Sequence, residues 1–134
     1  MAVRAIRGAT QVDADDREQV LEATRELVSA VLERNELAHD DVISILFTAT
    51  PDLVAEFPAL AARELGMGDV PLMCATEIDV PHALPRVLRL MAHVETPLER
   101  SSVQHVYLRG AAALRLDIAQ LGAYRCGSRS SGRG

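Results

Sequence analysis

All 14 basic residues of the chain are Arg; Lys is absent. That removes Schiff-base catalysis, a lysine general base and the phosphate-binding lysine of a P-loop. Metal and nucleophile chemistry are thinly supplied too. Cys74, Glu77 and Asp79 fall close together in CATEID and their types could ligate a metal. The four histidines, His39, His82, His93 and His105, show no paired spacing to complete such a site, so no metal is expected. Cys74 as a nucleophile would need a basic partner, with His82 or His105 the candidates. No GxSxG, GxGxxG or Walker pattern occurs. What remains is a set of arginines, and Arg7 is the odd one. In VRAIRGATQV it alternates with Val3 and Ala5, a poor place for a charge whose only task is solvation.

The elements that must position these residues follow from periodicity. Residues 3–12 read as a strand, with Val3, Ala5 and Arg7 on one face and Arg4 and Ile6 on the other. A long helix follows, capped by Asp13 or Asp15, with Asp16 and Glu18 in its first turn. Its stripe of Val20, Leu21, Thr24, Leu27, Val28, Val31 and Leu32 runs at helical spacing to about Arg34. VISILFTA (42–49) is apolar without alternation, which predicts a strand covered on both faces. Pro51 and Pro58 then allow only a short helix, near 58–65 and closed by Gly66. VPLMCAT (70–76) is a further strand, and Pro81 and Pro85 put 77–85 in a loop. VLRLMAHVE (87–95) alternates with period two, setting Leu88, Leu90, Ala92 and Val94 against Arg89, Met91 and His93. VQHVYL (103–108) alternates as well, with His105 and Tyr107 opposite Val106 and Leu108.

One long helix cannot cover both faces of a five-stranded sheet. The uncovered face is therefore expected to meet another subunit. The 134 residues suit a single domain, taken as 1–121. Residues 122–134, GAYRCGSRSSGRG, are too polar and Gly/Ser-rich to pack and form a tail expected to be disordered. Nucleic-acid binding is not expected, because the net charge is −5 and the chain has two Tyr, two Phe and no Trp. No apolar run reaches membrane-span length, and the N-terminus lacks a secretory stretch. The two cysteines, Cys74 and Cys126, offer no disulfide framework, so a cytoplasmic location is expected.

Composition and spacing alone stop at an α+β oligomer of open function. Several motifs carry the reading further. RAIRGAT, TATPDL with EFPALAARELG, PLMCATEIDV, VLRLM and HVYLRGAAALR stand in the order found in chorismate mutases of the AroH type. The resemblance spans residues 3 to about 117. It implies a mixed five-stranded sheet packed on one long and one short helix, and three chains assembled as a pseudo-α/β-barrel homotrimer with active sites at the subunit interfaces. The implied reaction is the intramolecular [3,3] rearrangement of chorismate to prephenate in aromatic amino acid biosynthesis. That reaction needs no cofactor, nucleophile, metal or proton transfer. The protein holds the compact conformer and stabilises negative charge growing on the ether oxygen.

The resemblance also distributes roles. Arg7 takes the place of the carboxylate-binding arginine, for which a planar guanidinium is suited. Arg89 stands at the position facing the ether oxygen. Tyr107 donates to a carboxylate, and Glu77 accepts from the ring hydroxyl with help from Cys74. Phe57, Ala59 and Arg63 close the mouth from the adjacent subunit; Met73 supplies its backbone. Leu114 and Arg115 fall where the C-terminal segment approaches. Two departures bear on the rim: Leu60 stands where Lys can occur, and Met73 where Thr can. Trimeric enamine/imine deaminases share a related architecture, and a non-catalytic trimeric anion-binding module would share the cleft. Arg89 with Glu77 and Tyr107 in these motifs favours the mutase.

Overall fold

The computed structural model describes residues 1–114. Arg115, Cys126, the boundary at 121 and the tail 122–134 lie outside the described residues. The chain runs β1 (Ala2–Gln11), α1 (Arg17–Arg34), β2 (Val42–Ala49), α2 (Ala59–Glu64), β3 (Leu72–Thr76), β4 (Val87–Thr96) and β5 (Val106–Tyr107). The strands form one sheet in the order β3-β2-β4-β1-β5. β4 is antiparallel to both β1 and β2, while β3 on β2 and β5 on β1 are parallel. This is the mixed α+β sheet that the sequence implied. No described helix is long and apolar enough to cross a membrane.

α1 covers one face of the sheet with its stripe of Val20, Leu21, Ala23, Thr24, Leu27, Val28 and Val31. Beneath it lie Ile6, Ile45, Phe47, Leu88, Leu90, Ala92 and Val94, all buried. Each such side chain removed from water contributes on the order of 1.5–3 kcal/mol. Gly8 sets the approach of the helix: a Cβ there would stand 3.1 Å from Leu27 Cδ1 and 3.3 Å from a carbon of Leu90. A Cβ beside Arg7 would require the Leu27 or Leu90 side chain to give way by a few tenths of an ångström.

Four expectations are corrected. The N-cap of α1 is Asp16, whose carboxylate accepts from the Gln19 N–H, rather than Asp13 or Asp15. β3 starts at Leu72, two residues late, after Pro71 accepts the Ile45 N–H at its carbonyl. β5 has only two residues because Arg100–Ser102 coils into a 3₁₀ turn and 103–105 runs unpaired up to Val106. β2 is covered on one face only within the chain: Ile45 and Phe47 are buried, whereas Ile43 and Leu46 are exposed. A β-bulge between Val42 and Ser44 accompanies this. The short helix α2 ends as expected, with Gly66 at φ +92.

Candidate active site

The face of the sheet opposite α1 is open, and the register decides which side chains stand there. Ala9 pairs with Arg89, Arg7 with Met91, Thr48 with Arg89, Leu46 with Met91, and Ala9 with Tyr107. Paired residues share a face, so four strands converge, β1, β2, β4 and β5. Arg7, Arg89, Thr48 and Tyr107 surround a floor of Ala9, Leu46 and Met91 in a concavity of about 260 Å³. Arg7 and Arg89 are diagonal neighbours on adjacent strands, roughly 7–8 Å apart at the backbone.

The electrostatics of this group are unequal. Glu77 Oε2 lies 3.1 Å from Arg89 Nε and accepts a 2.7 Å hydrogen bond from the Thr48 hydroxyl. The Glu77 backbone N–H donates to the Ala49 carbonyl, which fixes the start of the 77–85 loop against β2. The pair with Glu77 engages Arg89 through Nε, and no other described residue forms an ion pair with it. Arg7 has no ion pair among the described residues. Two cations so placed repel, and only one has an acid beside it; an anion entering the concavity relieves both. The backbone N–H of Arg7 donates to His105 Nδ1 at 2.9 Å. Burial first, and the Arg7 charge second, push the His105 pKa below its ordinary value. The ring is thus kept neutral and able to accept.

A second group gathers at the β3 edge. Phe57, Ala59, Arg63, Leu72, Met73 and Cys74 line a concavity of about 280 Å³. α2 presents Arg63 while burying Ala59, Ala61 and Ala62 against the core. Cys74 packs against the main core beside Phe47, and Met73, 66% exposed, stands on the open face next to Leu46. Leu60 is half-buried. Within one chain Phe57 and Arg63 share no concavity with Arg7 or Arg89, although Thr48 lines one with Phe57 and Cys74; Cys74 falls with Phe57 rather than with Glu77. Leu114 is half-buried at the end of the described residues and lines neither concavity. Among the described residues no three His, Cys, Asp or Glu side chains converge to hold a metal ion.

Reasoning from sequence missed Thr48, His105 as an acceptor, and Asp15. Thr48 sits in an apolar run that was read as core, and its signal is the strand register. His105 alternates with Tyr107, but its partner lies 98 residues away in the chain. Asp15 was assigned to a helix cap; its carboxylate instead accepts from the backbone N–H groups of Val54 and Ala55.

Comparison with known proteins gives a single answer. The family model for chorismate mutase type I matches residues 3–118. The chain is 46% identical over 117 residues to chorismate mutase AroH of Thermus thermophilus, covering 87% of this chain and 96% of that protein. It is 42% identical over 120 residues to chorismate mutase AroH of Bacillus subtilis (strain 168), covering 89% and 94%. A solved chorismate mutase from Clostridium thermocellum superposes with a TM-score of 0.81 at 45% identity, over 82% of this chain and 98% of that one. A sheet with a two-arginine concavity, a family match over nearly the whole described chain and relatives matched over 94–96% of their own length agree: the chain belongs to the type I chorismate mutase family.

Proposed function

We propose that the chain is a chorismate mutase that works in the cytoplasm as a homotrimer, each active site built from the Arg7–Arg89 group of one chain and the Phe57–Arg63 group of its neighbour. The observation that carries this is the arginine pair on the open sheet face, with an acid beside Arg89 alone. Chorismate is a dianion. Arg7, Arg89 and Arg63 against Glu77 leave two net positive charges for it. The exposed Val3, Leu46 and Met73 on the same face give a second chain an apolar surface to cover.

The chemistry asks for little more. One C–O bond of the ether breaks as one C–C bond forms, and no proton moves. Arg7 takes a carboxylate in a two-pronged contact, and Tyr107 donates to a carboxylate. Glu77 accepts from the ring hydroxyl and, through its contact with Arg89 Nε, orients that guanidinium. The terminal nitrogens of Arg89 then meet charge as it develops on the ether oxygen. Leu46 and Met91 keep water from the floor, which strengthens each of these contacts. Phe57, Ala59 and Arg63 of the neighbour close the cleft, with Met73, Cys74, Leu114 and Arg115 at its margin. The product prephenate feeds aromatic amino acid biosynthesis.

The test is direct. Chorismate absorbance in the ultraviolet should disappear with enzyme, and prephenate should be the sole product. Purified, folded protein that leaves chorismate unchanged at its uncatalysed rate would overturn the reading.

A further inference from the structure

Phe57 is 68% exposed and Val54 81% exposed, so packing within the chain does not fix the segment that carries them. Leu53 alone inserts, against Val12, Val20, Ala23 and Leu88. An aromatic that projects into solvent holds a fixed position only if its backbone is tied down. The ties are polar: on the α2 side the Phe57 carbonyl accepts from the Leu60 N–H at 3.1 Å, and the ties before it run to residues 15–17 at the start of α1. Asp15 Oδ1 accepts from the Val54 and Ala55 N–H groups, both at 3.0 Å. Asp16 caps the helix. Arg17 Nε donates to Glu56 Oε1 at 3.0 Å, while Glu56 Oε2 accepts from the Phe57 N–H at 2.9 Å.

From this geometry we infer that Asp15 is a positioning residue: its carboxylate clamps residues 54–55 to the start of α1 and so sets where Phe57 stands at the mouth of the cleft. The inference rests on the two-chain site proposed above. The frame to which the clamp ties the loop is rigid, since α1 lies against the sheet across Gly8, next to Arg7. Each chain thereby carries its Phe57 in fixed relation to its own sheet, which is what a neighbour's cleft needs. The Arg17–Glu56 pair is the weaker tie. Arg17 is half exposed and also pairs with Glu18, so solvent and salt screen it. Asp15 binds backbone N–H groups, and the clamp therefore survives high salt.

The experiment compares Asp15→Ala, Asp15→Asn, Phe57→Ala and the Asp15→Ala/Phe57→Ala double variant in steady-state chorismate kinetics, with thermal melts and light scattering on each. Asp15→Ala should raise KM at least about fivefold with kcat within about twofold, because the clamp acts on closure and not on the ether oxygen. Asp15→Asn keeps an oxygen at the same place and should recover most of the loss. In the double variant KM should equal that of Phe57→Ala alone, within about twofold, as expected when one residue acts through the other. If Phe57→Ala raises KM but Asp15→Ala does not, the clamp is wrong and the two-chain site stands. If Phe57→Ala itself leaves KM unchanged, both fall. A drop in melting temperature for Asp15→Ala with KM unchanged overturns the inference, and Asp15→Asn reads it should Asp15→Ala not fold.

Discussion

Arg89 and Glu77 illustrate how much a single oxygen can decide. Glu77 Oε2 serves both the Thr48 hydroxyl and Arg89 Nε, so the guanidinium is aimed by an acid that is itself aimed by a strand residue. Arg89→Ala should lower turnover by roughly 10²–10³-fold, the scale for one lost donor to developing charge. Arg89→Lys should also be badly impaired, since an ammonium cannot contact Glu77 and the ether oxygen through separate nitrogens. Steady-state kinetics beside thermal melts will check this; a folded Arg89→Ala enzyme within tenfold of the parent's turnover removes Arg89 from the catalytic role. His105 makes a prediction about pH. Its folded pKa lies below the ordinary 6.5, so the unfolded chain binds the proton more readily. Stability is then complete above about pH 6.5 and falls as pH drops through the folded value. Arg7 opposes the new charge, and Arg4, Arg100 and His93 are the other basic side chains that line a concavity with His105. His105→Asn offers an oxygen to the Arg7 N–H without titrating, and its melting temperature should fall less between about pH 7.5 and 5.5 than the parent's. Arg7 was legible as an oddity because alternation put it with Val3 and Ala5, whereas Arg89 fell on the polar side of its strand and was legible only through the resemblance carried by VLRLM. Thr48 and His105 were not legible, since their partners are set by pairing across strands and no single segment reveals it.

Among the elements, the long periodic ones could be read, and so could α2 between Pro58 and Gly66, whereas the ends of the short strands could not. α1, β1 and β4 carry many repeats of their period. β5 keeps two ladder residues, too few for alternation to locate its ends. Its position is instead set by a side chain at the end of α1. Asn35 is buried, donates to the carbonyls of Val31 and Gln104, and accepts from the Gln104 N–H at 2.7 Å. An Asn there read as a helix stop; that it also staples residues 103–105 to the helix needed the fold. Asn35→Ala leaves the N–H and carbonyl of Gln104 without partners and should cost roughly 2–4 kcal/mol. Denaturant melts will measure it. Hydrogen exchange should show the loss of protection concentrated around Val106 and Tyr107, with the β1–β4 ladder little changed.

At the scale of the whole molecule, the separation of the two residue groups within one chain invites a complementation test. An Arg89→Ala chain and an Arg63→Ala chain each lack one half of every site. Unfolded together and refolded as mixed trimers, about a quarter of the sites pair two intact halves if subunits combine at random around the ring. Activity should therefore rise above that of either variant alone. A mixture no more active than its components would mean that each site is built within one chain. The sheet itself says something about life between synthesis and assembly. Its described edges are β3 and β5, of five and two residues, while the long strands β1, β2 and β4 are all interior. Yet because β5 covers only Gly8 and Ala9 of the ten-residue β1, a newly made subunit shows a broad greasy face together with an open ladder edge along residues 2–6 of β1 among the described residues. Unassembled chains thus carry both a surface on which to find one another and a stretch of backbone on which a foreign strand can pair, so the solitary subunit is the vulnerable species and prompt assembly is its protection against fibrils.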